Sequence, residues 1–466
     1  MSKTFVGARL RGLRKERGLS QASLAGALEI SPSYLNQIEH DVRPLSVPVL
    51  LKITDVFGVD TSFFNSQDET RLIAELREVT MDVDSPTPTE ELSELVRDHA
   101  GFARAMVSLH RRYLNAADQL AQATDGRSDP HARGAISHPH EEVRDFFYER
   151  QNYFDEIDTA AEELTVRMRM HGADLRAAVE NRLQTVHNVS IRRRVDLGDG
   201  VLHRFDPVSR ELEISAHLSG GQQFFKMAAE LAFLECGEAI DALVDAGGFT
   251  SDEARRLAKH GLANYYAAAV VLPYTQFHGA AEDFQYDIER LSAFFAVSYE
   301  TVAHRLSTMQ RPNLRGLPLS FVRVDRAGNM SKRQSSTGFH FSASGGTCPL
   351  WNVYETFAWP GKILVQLAEM PDGRNYLWVA RTVERRAARF GQPSKTFAIG
   401  LGCELRHAHR LVYARGLDLA NGDPTPIGAG CRVCERDNCA QRAFPPIGRS
   451  LDVDEHRSTV SPYHMK

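Results

Sequence analysis

The chain has few cysteines, no excess of positive charge and no long apolar run, and each shortage excludes something. Its start, Met1 to Phe5, carries no apolar core of signal-peptide length, so a cytoplasmic protein is expected. No uninterrupted apolar segment approaches the roughly 18 residues of a membrane span, so no membrane partner is expected. Six cysteines among 466 residues argue against a disulfide scaffold, because a chain of this size buries a core without staples. The net charge of −5 gives no global nucleic-acid signal, so any DNA binding must be local.

A local basic stretch is present at the N-terminus. Lys3, Arg9, Arg11, Arg14, Lys15 and Arg17 are opposed there only by Glu16. Leu10 and Leu13 give a first helix its apolar stripe, with the arginines on the wet face, and Gly18 ends it. Ser20 reads as the N-cap of a helix carrying Leu24, Ala25 and Leu28. Ser31 or Ser33 caps a third helix running to His40, and Ser46 caps a fourth with Leu50, Ile53 and Phe57 facing inward. Two short helices joined by a tight turn, the second rich in Ser, Tyr, Asn and Gln, fit a helix-turn-helix whose second helix enters the major groove. Gln21, Ser31, Ser33, Tyr34, Asn36 and Gln37 are the candidates for base edges and phosphates. Arg14 and Arg43 are the candidates for backbone charge. From Ser20 to Pro44 the pattern resembles the Xre/Cro-type repressors, which implies operator DNA as a partner.

Thr80 to Thr89 is rich in Asp, Pro and Thr and reads as a linker. The spacing then predicts a helix over 90–124 with Leu92, Leu95, Phe102, Met106 and Leu109 on one face, a loop to Pro139, and one long amphipathic stretch over 141–170. From about Asp174 the character changes. Arg192, Arg193 and Arg194 precede two short strand-like pieces, a helix from Gln222 and a helix ending in Leu272-Pro273. This order resembles the ImmA/IrrE-type metallopeptidase fold, whose first helix carries HExxH: two imidazoles for zinc and a glutamate as base. Here the corresponding residues run Ala229-Glu230-Leu231-Ala232-Phe233, and Leu262 stands where the acidic third ligand is expected. A peptidase is therefore not expected. The segment over 287–310 mimics a second helix-turn-helix but lacks a dense basic face, and is expected to pack.

Residues 321–383 read as β-rich, with hairpin turns at Ala327-Gly328-Asn329 and Pro371-Asp372-Gly373. A helix is expected from Glu404 to Gly416. A loop rich in Gly and Pro then delivers Cys431, Cys434 and Cys439. Thiolates this close in a chain without a secretory signal point to a metal or an iron–sulfur cluster. Three ligands leave a four-coordinate site incomplete. Cys403, read as lying in a turn at a helix start, is the first choice for the fourth, Cys348 the reserve, and His407 or His409 third. Spacing does not separate zinc from iron–sulfur. Cys236, on an apolar helix face, reads as a buried small hydrophobe.

The head, the degenerate middle and the motifs SKRQSSTGFHF, GGTCPLWNVYETF, LGCELRHAHRLVY and GAGCRVCERDNC together resemble the short-chain fatty acyl-CoA regulator family over nearly the whole chain. The resemblance implies a transcription factor for acetate, propionate, glyoxylate or methylcitrate metabolism. It implies CoA or a short acyl-CoA as effector, a homo-oligomer (dimer or tetramer), and a [4Fe–4S] cluster on Cys403, Cys431, Cys434 and Cys439. For the effector, the former catalytic groove with Tyr265 and Tyr266 is the expected acyl slot, and Arg192, Lys332 and Arg333 the phosphate contacts. The expected architecture is multidomain, mainly α with α+β parts: a helix-turn-helix bundle over 1–82, a helical linker or oligomerisation region over 90–172, an ImmA/IrrE-like α+β effector domain over 173–312, and a β-rich cysteine domain over 313–466. The rival readings are an iron or redox sensor in which a cluster alone controls DNA binding, and a repressor-cleaving peptidase.

Overall fold

The computed structural model describes residues 19–40, 67–82, 87–124, 139–169, 174–198, 200–337, 348–385, 394–434 and 439–446, together with isolated positions between and around them. The chain divides into two compact units, one built from residues 1–114 and the other from 115–446. The fourth-helix cap Ser46 and the inward Leu50 lie outside the described residues.

In the first unit, α1 (Gln21–Ala27) and α2 (Pro32–Glu39) pack around Leu10, Leu24, Leu28, Leu35, Ile38, Ile53 and Phe57. Two further helices follow, α3 (Gln67–Asp82) and α4 (Thr89–Thr124), and α4 is kinked at His99. The expected apolar stripe of α4 is displaced. Its buried face is Leu92, Val96, Ala103 and Val107 against Leu72, Leu76 and Val79, while Phe102, Met106 and Leu109 are exposed. The non-helical His99 separates two periodic segments, and the packed stripe after it lies one residue round from the expected one.

The second unit opens with α5 (Pro139–Glu149) and α6 (Asp155–Arg169). The single stretch expected over 141–170 is broken where Gln151 and Asn152 both take left-handed backbone. Phe146, Phe154, Ile157, Ala161, Leu164 and Met168 are buried in the same core as the helices that follow. Residues 139–169 therefore pack into the core of the second unit. After α7 (Leu175–Thr185) comes a small sheet of β1 (Ser190–Arg194), β2 (His203–Asp206) and β3 (Glu211–Ser215), in the order β1-β3-β2, with β1 parallel to β3. Helices α8 (Gly220–Glu235), α9 (Gly237–Asp245), α10 (Asp252–Val271), α11 (Tyr274–Asp283), α12 (Ile288–Phe295) and α13 (Tyr299–Leu306) complete the middle. A Ser219–Gln222 capping box starts α8, and Pro273 separates α10 from α11. The segment that mimics a second helix-turn-helix, α12 and α13, buries Ile288, Leu291, Val302 and Leu306, so it packs as expected.

The tail forms a six-stranded sheet from β4 (Ser320–Val324), β5 (Met330–Ser335), β6 (Leu364–Glu369), β7 (Asn375–Arg385), β8 (Lys395–Glu404) and β9 (Thr425–Pro426), in the order β5-β4-β8-β7-β6-β9. Both expected hairpin turns are present, with Gly328 and Gly373 at positive φ. Beyond β8 the expected helix is replaced by two short 3₁₀ turns, Leu405–Arg410 and Val412–Ala414. Among the described residues no helix is long and apolar enough to cross a membrane.

One ion pair holds the middle together. Arg305 on α13 and Asp158 on α6 are both 0% exposed and form a bidentate pair, Nη1 to Oδ2 and Nη2 to Oδ1 at 2.9 Å each. Tyr265 on α10 donates its hydroxyl to Asp158 Oδ2 at 2.6 Å, and Arg305 Nε donates to the Leu272 carbonyl at 3.2 Å. Asp158→Ala leaves a buried guanidinium uncompensated and is expected to lower stability by about 3–5 kcal/mol. Joint replacement, Asp158→Leu with Arg305→Met, should cost far less. Urea melts of the three chains check this: equal midpoints for the single and the double variant would refute the account.

Candidate functional site

The head presents its second helix as the sequence predicts. Ser31, not Ser33, is the N-cap of α2: its hydroxyl accepts from the Tyr34 amide at 3.1 Å, with Pro32 in the first turn. Ser20 caps α1 in the same way through the Ser23 amide. Ser33 and Asn36 are exposed and Tyr34 and Gln37 half-buried, so α2 offers a polar face. Gln21 donates to Asn36 Oδ1 and to Glu39 Oε2, at 3.1 Å each, which ties α1 to α2. Arg43 is exposed, its guanidinium 5.8 Å from the Tyr34 ring centroid.

Arg14 is a correction. It does not stand on a wet face. It makes a fork to Glu39, Nε to Oε1 at 2.6 Å and Nη2 to Oε2 at 3.0 Å, and donates to the Leu19 carbonyl at 3.2 Å. Glu39 is 1% exposed, so this guanidinium serves as its counter-ion and is committed to the interior of the head. A helical-stripe reading placed all the arginines outside because it could not see a buried carboxylate arriving from α2.

The second correction concerns the cysteines. Cys348, Cys431, Cys434 and Cys439 line one pocket of about 290 Å³, including space open to solvent, with Pro349, Gly428, Arg436 and Arg442. The reserve ligand, Cys348, is thus the one beside the loop. Cys403 lies elsewhere, fully buried within β8, and burial pushes its thiol up to about 12. The glycines around it mark close packing rather than a turn. A Cβ at Gly402 would sit 2.6 Å from the Trp378 ring, and one at Gly400 would sit 2.8 Å from Val322 Cγ2. His407 and His409 lie on the 3₁₀ turn after β8 and are not among the lining residues. Cys236, at the end of α8, is buried as expected.

The pocket is built from two directions. Cys348 precedes a short helix, Asn352–Glu355, over the aromatic cluster of Phe339, Trp351, Tyr376 and Trp378. Burial pushes its thiol up, while the backbone amides of Gly428 and Leu350 act in the opposite direction. The other three cysteines follow β9, which pairs in parallel with the end of β6. Ile427 is buried and its amide donates to the Glu369 carbonyl at 2.9 Å, so the Gly/Pro-rich loop is anchored to the sheet. Gly428 is required to be small: a Cβ there would lie 2.7 Å from Cys434 Sγ. Arg436 and Arg442, which sequence reading did not single out, brace the loop. Arg436 donates to the Glu369 and Ile427 carbonyls. Arg442 donates to the carbonyls of Cys431 at 3.1 Å and Cys434 at 3.2 Å. Their only signal in the sequence is nearness to Cys439.

Four cysteines on one pocket give a donor set of thiols that suits zinc or an iron–sulfur cluster.

The expected effector residues are dispersed. Tyr265 and Tyr266 are 3% and 1% exposed, and Tyr265 is committed to Asp158, so neither lines an open slot. Arg192 is paired with Glu211 at 3.2 Å on the outer strand of the small sheet. Lys332 and Arg333 stand half-buried on β5 of the other sheet. Glu230, at the former catalytic position, is 7% exposed, and burial raises its carboxyl to about 7. Ala229 and Phe233 flank it where imidazoles would stand.

Arg14→Ala should therefore destabilise the head by about 3 kcal/mol, the cost of stranding a buried carboxylate. It should leave the salt dependence of non-specific DNA binding unchanged. Denaturant melts and salt titrations of the full chain check both parts. A slope reduced by one ion at unchanged stability would restore Arg14 as a phosphate contact.

Three family descriptions match successive parts of the chain: a helix-turn-helix over residues 10–64, an IrrE N-terminal-like domain over 184–307, and a short-chain fatty acyl coenzyme A regulator C-terminal region over 308–463. The HTH-type transcriptional regulator RamB of Mycobacterium tuberculosis is 71% identical over the full length of both chains. The HTH-type transcriptional regulator PrpR of the same organism is 45% identical, covering 99% of this chain and 96% of that one. The propionyl-CoA carboxylase regulator of Cereibacter sphaeroides is 40% identical, covering 99% of each. A solved Mycobacterium tuberculosis transcriptional regulator superposes with a TM-score of 0.68 at 46% identity, over 70% of this chain and all of that one. The similarity runs over nearly the full length of these relatives, and the chain belongs to the short-chain fatty acyl coenzyme A regulator family of helix-turn-helix transcriptional regulators.

Proposed function

We propose that this protein is a cytoplasmic, homo-oligomeric transcription factor that answers to CoA or a short-chain acyl-CoA and carries a [4Fe–4S] cluster on Cys348, Cys431, Cys434 and Cys439. The observation that carries the cluster is the pocket lined by those four thiols. When bound, such a group supplies one-electron redox chemistry and cross-links the segments that hold it. The acyl-CoA effector is supported by the family description and by the relative named for propionyl-CoA carboxylase. The lost imidazoles at 229 and 233 favour a regulator over a peptidase, and Glu230, held near half-protonation at neutral pH by burial, has no metal-activated water to act on.

DNA is read through the exposed face of α2. Replacing Asn36 and Gln37 by alanine together should relax operator preference by about 1–3 kcal/mol for each side chain that bonds a base edge. An unchanged footprint and affinity would move recognition elsewhere in the head.

A serine at Cys348, Cys431, Cys434 or Cys439 should lower iron content and bleach the broad visible absorption of anaerobically purified protein. Cys403→Ser should spare both. Iron lost with Cys403→Ser but retained with Cys348→Ser would reverse the assignment. The second reading, a redox sensor in which the cluster acts alone, is separated by calorimetry of acetyl-CoA and propionyl-CoA against wild type and Cys434→Ser. Coupling requires weaker binding in the variant and, by linkage, slower cluster loss with acyl-CoA present. Equal affinities would leave the cluster uncoupled from the effector.

A further inference from the structure

Two arginines line the cysteine pocket, and their electrostatics differ. Arg436 has a carboxylate: its Nη2 lies 3.2 Å from Glu369 Oε1. Arg442 has none among the described residues. Arg442 is 6% exposed, yet its hydrogen bonds all run to neutral carbonyls: Cys431 at 3.1 Å, Cys434 at 3.2 Å, Phe444 at 3.5 Å, and Arg436. Its Nε is buried without an acceptor. A second buried donor without an acceptor, the Tyr354 hydroxyl, stands on the short helix that follows Cys348.

A buried cation with no counter-ion is strongly unfavourable, and so is a buried donor with nothing to donate to. An anionic, sulfur-rich group in the pocket would give Arg442 the negative charge that no described residue supplies. Four thiolates around a [4Fe–4S]²⁺ core carry a net charge of −2, and four thiolates around one zinc carry the same. One further electron makes the cluster more negative. A fixed positive charge at the pocket wall favours that reduced state, since net charge and hydrogen bonds to sulfur set cluster potentials.

We infer that Arg442 is the buried counter-charge of the thiolate-bound group and the clamp of its loop, a positioning residue that raises the reduction potential and slows release of the metal. This rests on the cluster assigned above. Its two roles separate by chemistry: the charge survives in Arg442→Lys, whereas the fork that grips the Cys431 and Cys434 carbonyls does not.

The test uses the full chain purified without oxygen, in three forms: wild type, Arg442→Gln and Arg442→Lys. Midpoint potentials come from dye-mediated titration followed by electron paramagnetic resonance, and release rates from a chelator in excess. We expect Arg442→Gln to shift to more negative potential and Arg442→Lys to stay near wild type. Both variants should release metal faster, by roughly tenfold to a hundredfold, the usual cost of losing an outer-sphere partner. Equal potentials in wild type and Arg442→Gln, with the cluster intact in both, overturn the counter-charge. Equal release rates overturn the clamp. If wild type carries zinc, the iron–sulfur assignment fails by itself, and the inference is then decided by release rates alone. Should Arg442→Gln not fold, wild type labelled with ¹⁵N-arginine replaces it. A ¹⁵N hyperfine coupling to the reduced cluster is then expected, and its absence overturns the assignment.

Discussion

The Arg305–Asp158 pair is the constraint on which the middle of this molecule depends. It joins α6 to α13, and Tyr265 brings in α10. A charge pair of this kind adds little net stability compared with apolar residues, but it tolerates only one arrangement of its partners. Arg311 extends the network outward: it pairs with Glu162 at 2.6 Å, and its guanidinium lies 4.1 Å from the Tyr274 ring centroid. Tyr265 and Tyr274 are thereby held in the scaffold, each giving up surface exposure for a buried partner.

The reach of that network explains where sequence reading of the middle domain succeeded and where it failed. The element order, the missing zinc ligands and the packing of residues 287–310 were legible because they follow from local spacing and helix signals. The role of Tyr265 was not, because Asp158 lies far away in sequence. The same distance hid the attachment of residues 139–169 to this core. Their amphipathic pattern says that one face is buried and does not say against what.

The head and the tail teach the same lesson with different chemistry. Ser20 and Ser31 could be read as caps because capping joins groups only a few residues apart. Arg14 could not be separated from its neighbours, since the group that distinguishes it is a buried glutamate on another helix. In the tail, the glycines beside Cys403 looked like turn residues, and in the fold they make room for Trp378. Glycine signals that something comes close; whether it is a bending backbone or an indole ring is settled only by the sheet. The three clustered cysteines were legible as a unit. That Cys348 lines the same pocket was not legible, because it is more than eighty residues away in the chain.

The separation of Cys348 from the other three fixes an order of events in the assembly of the pocket. Cys348 precedes Cys431, Cys434 and Cys439 in the chain. Between them lie β6, β7 and β8, and β9 reaches its place only by pairing with β6. The four thiols therefore meet only once β6, β7 and β8 have formed and β9 has paired with β6. A group held by all four would be delivered to a closed sheet rather than to an open strand.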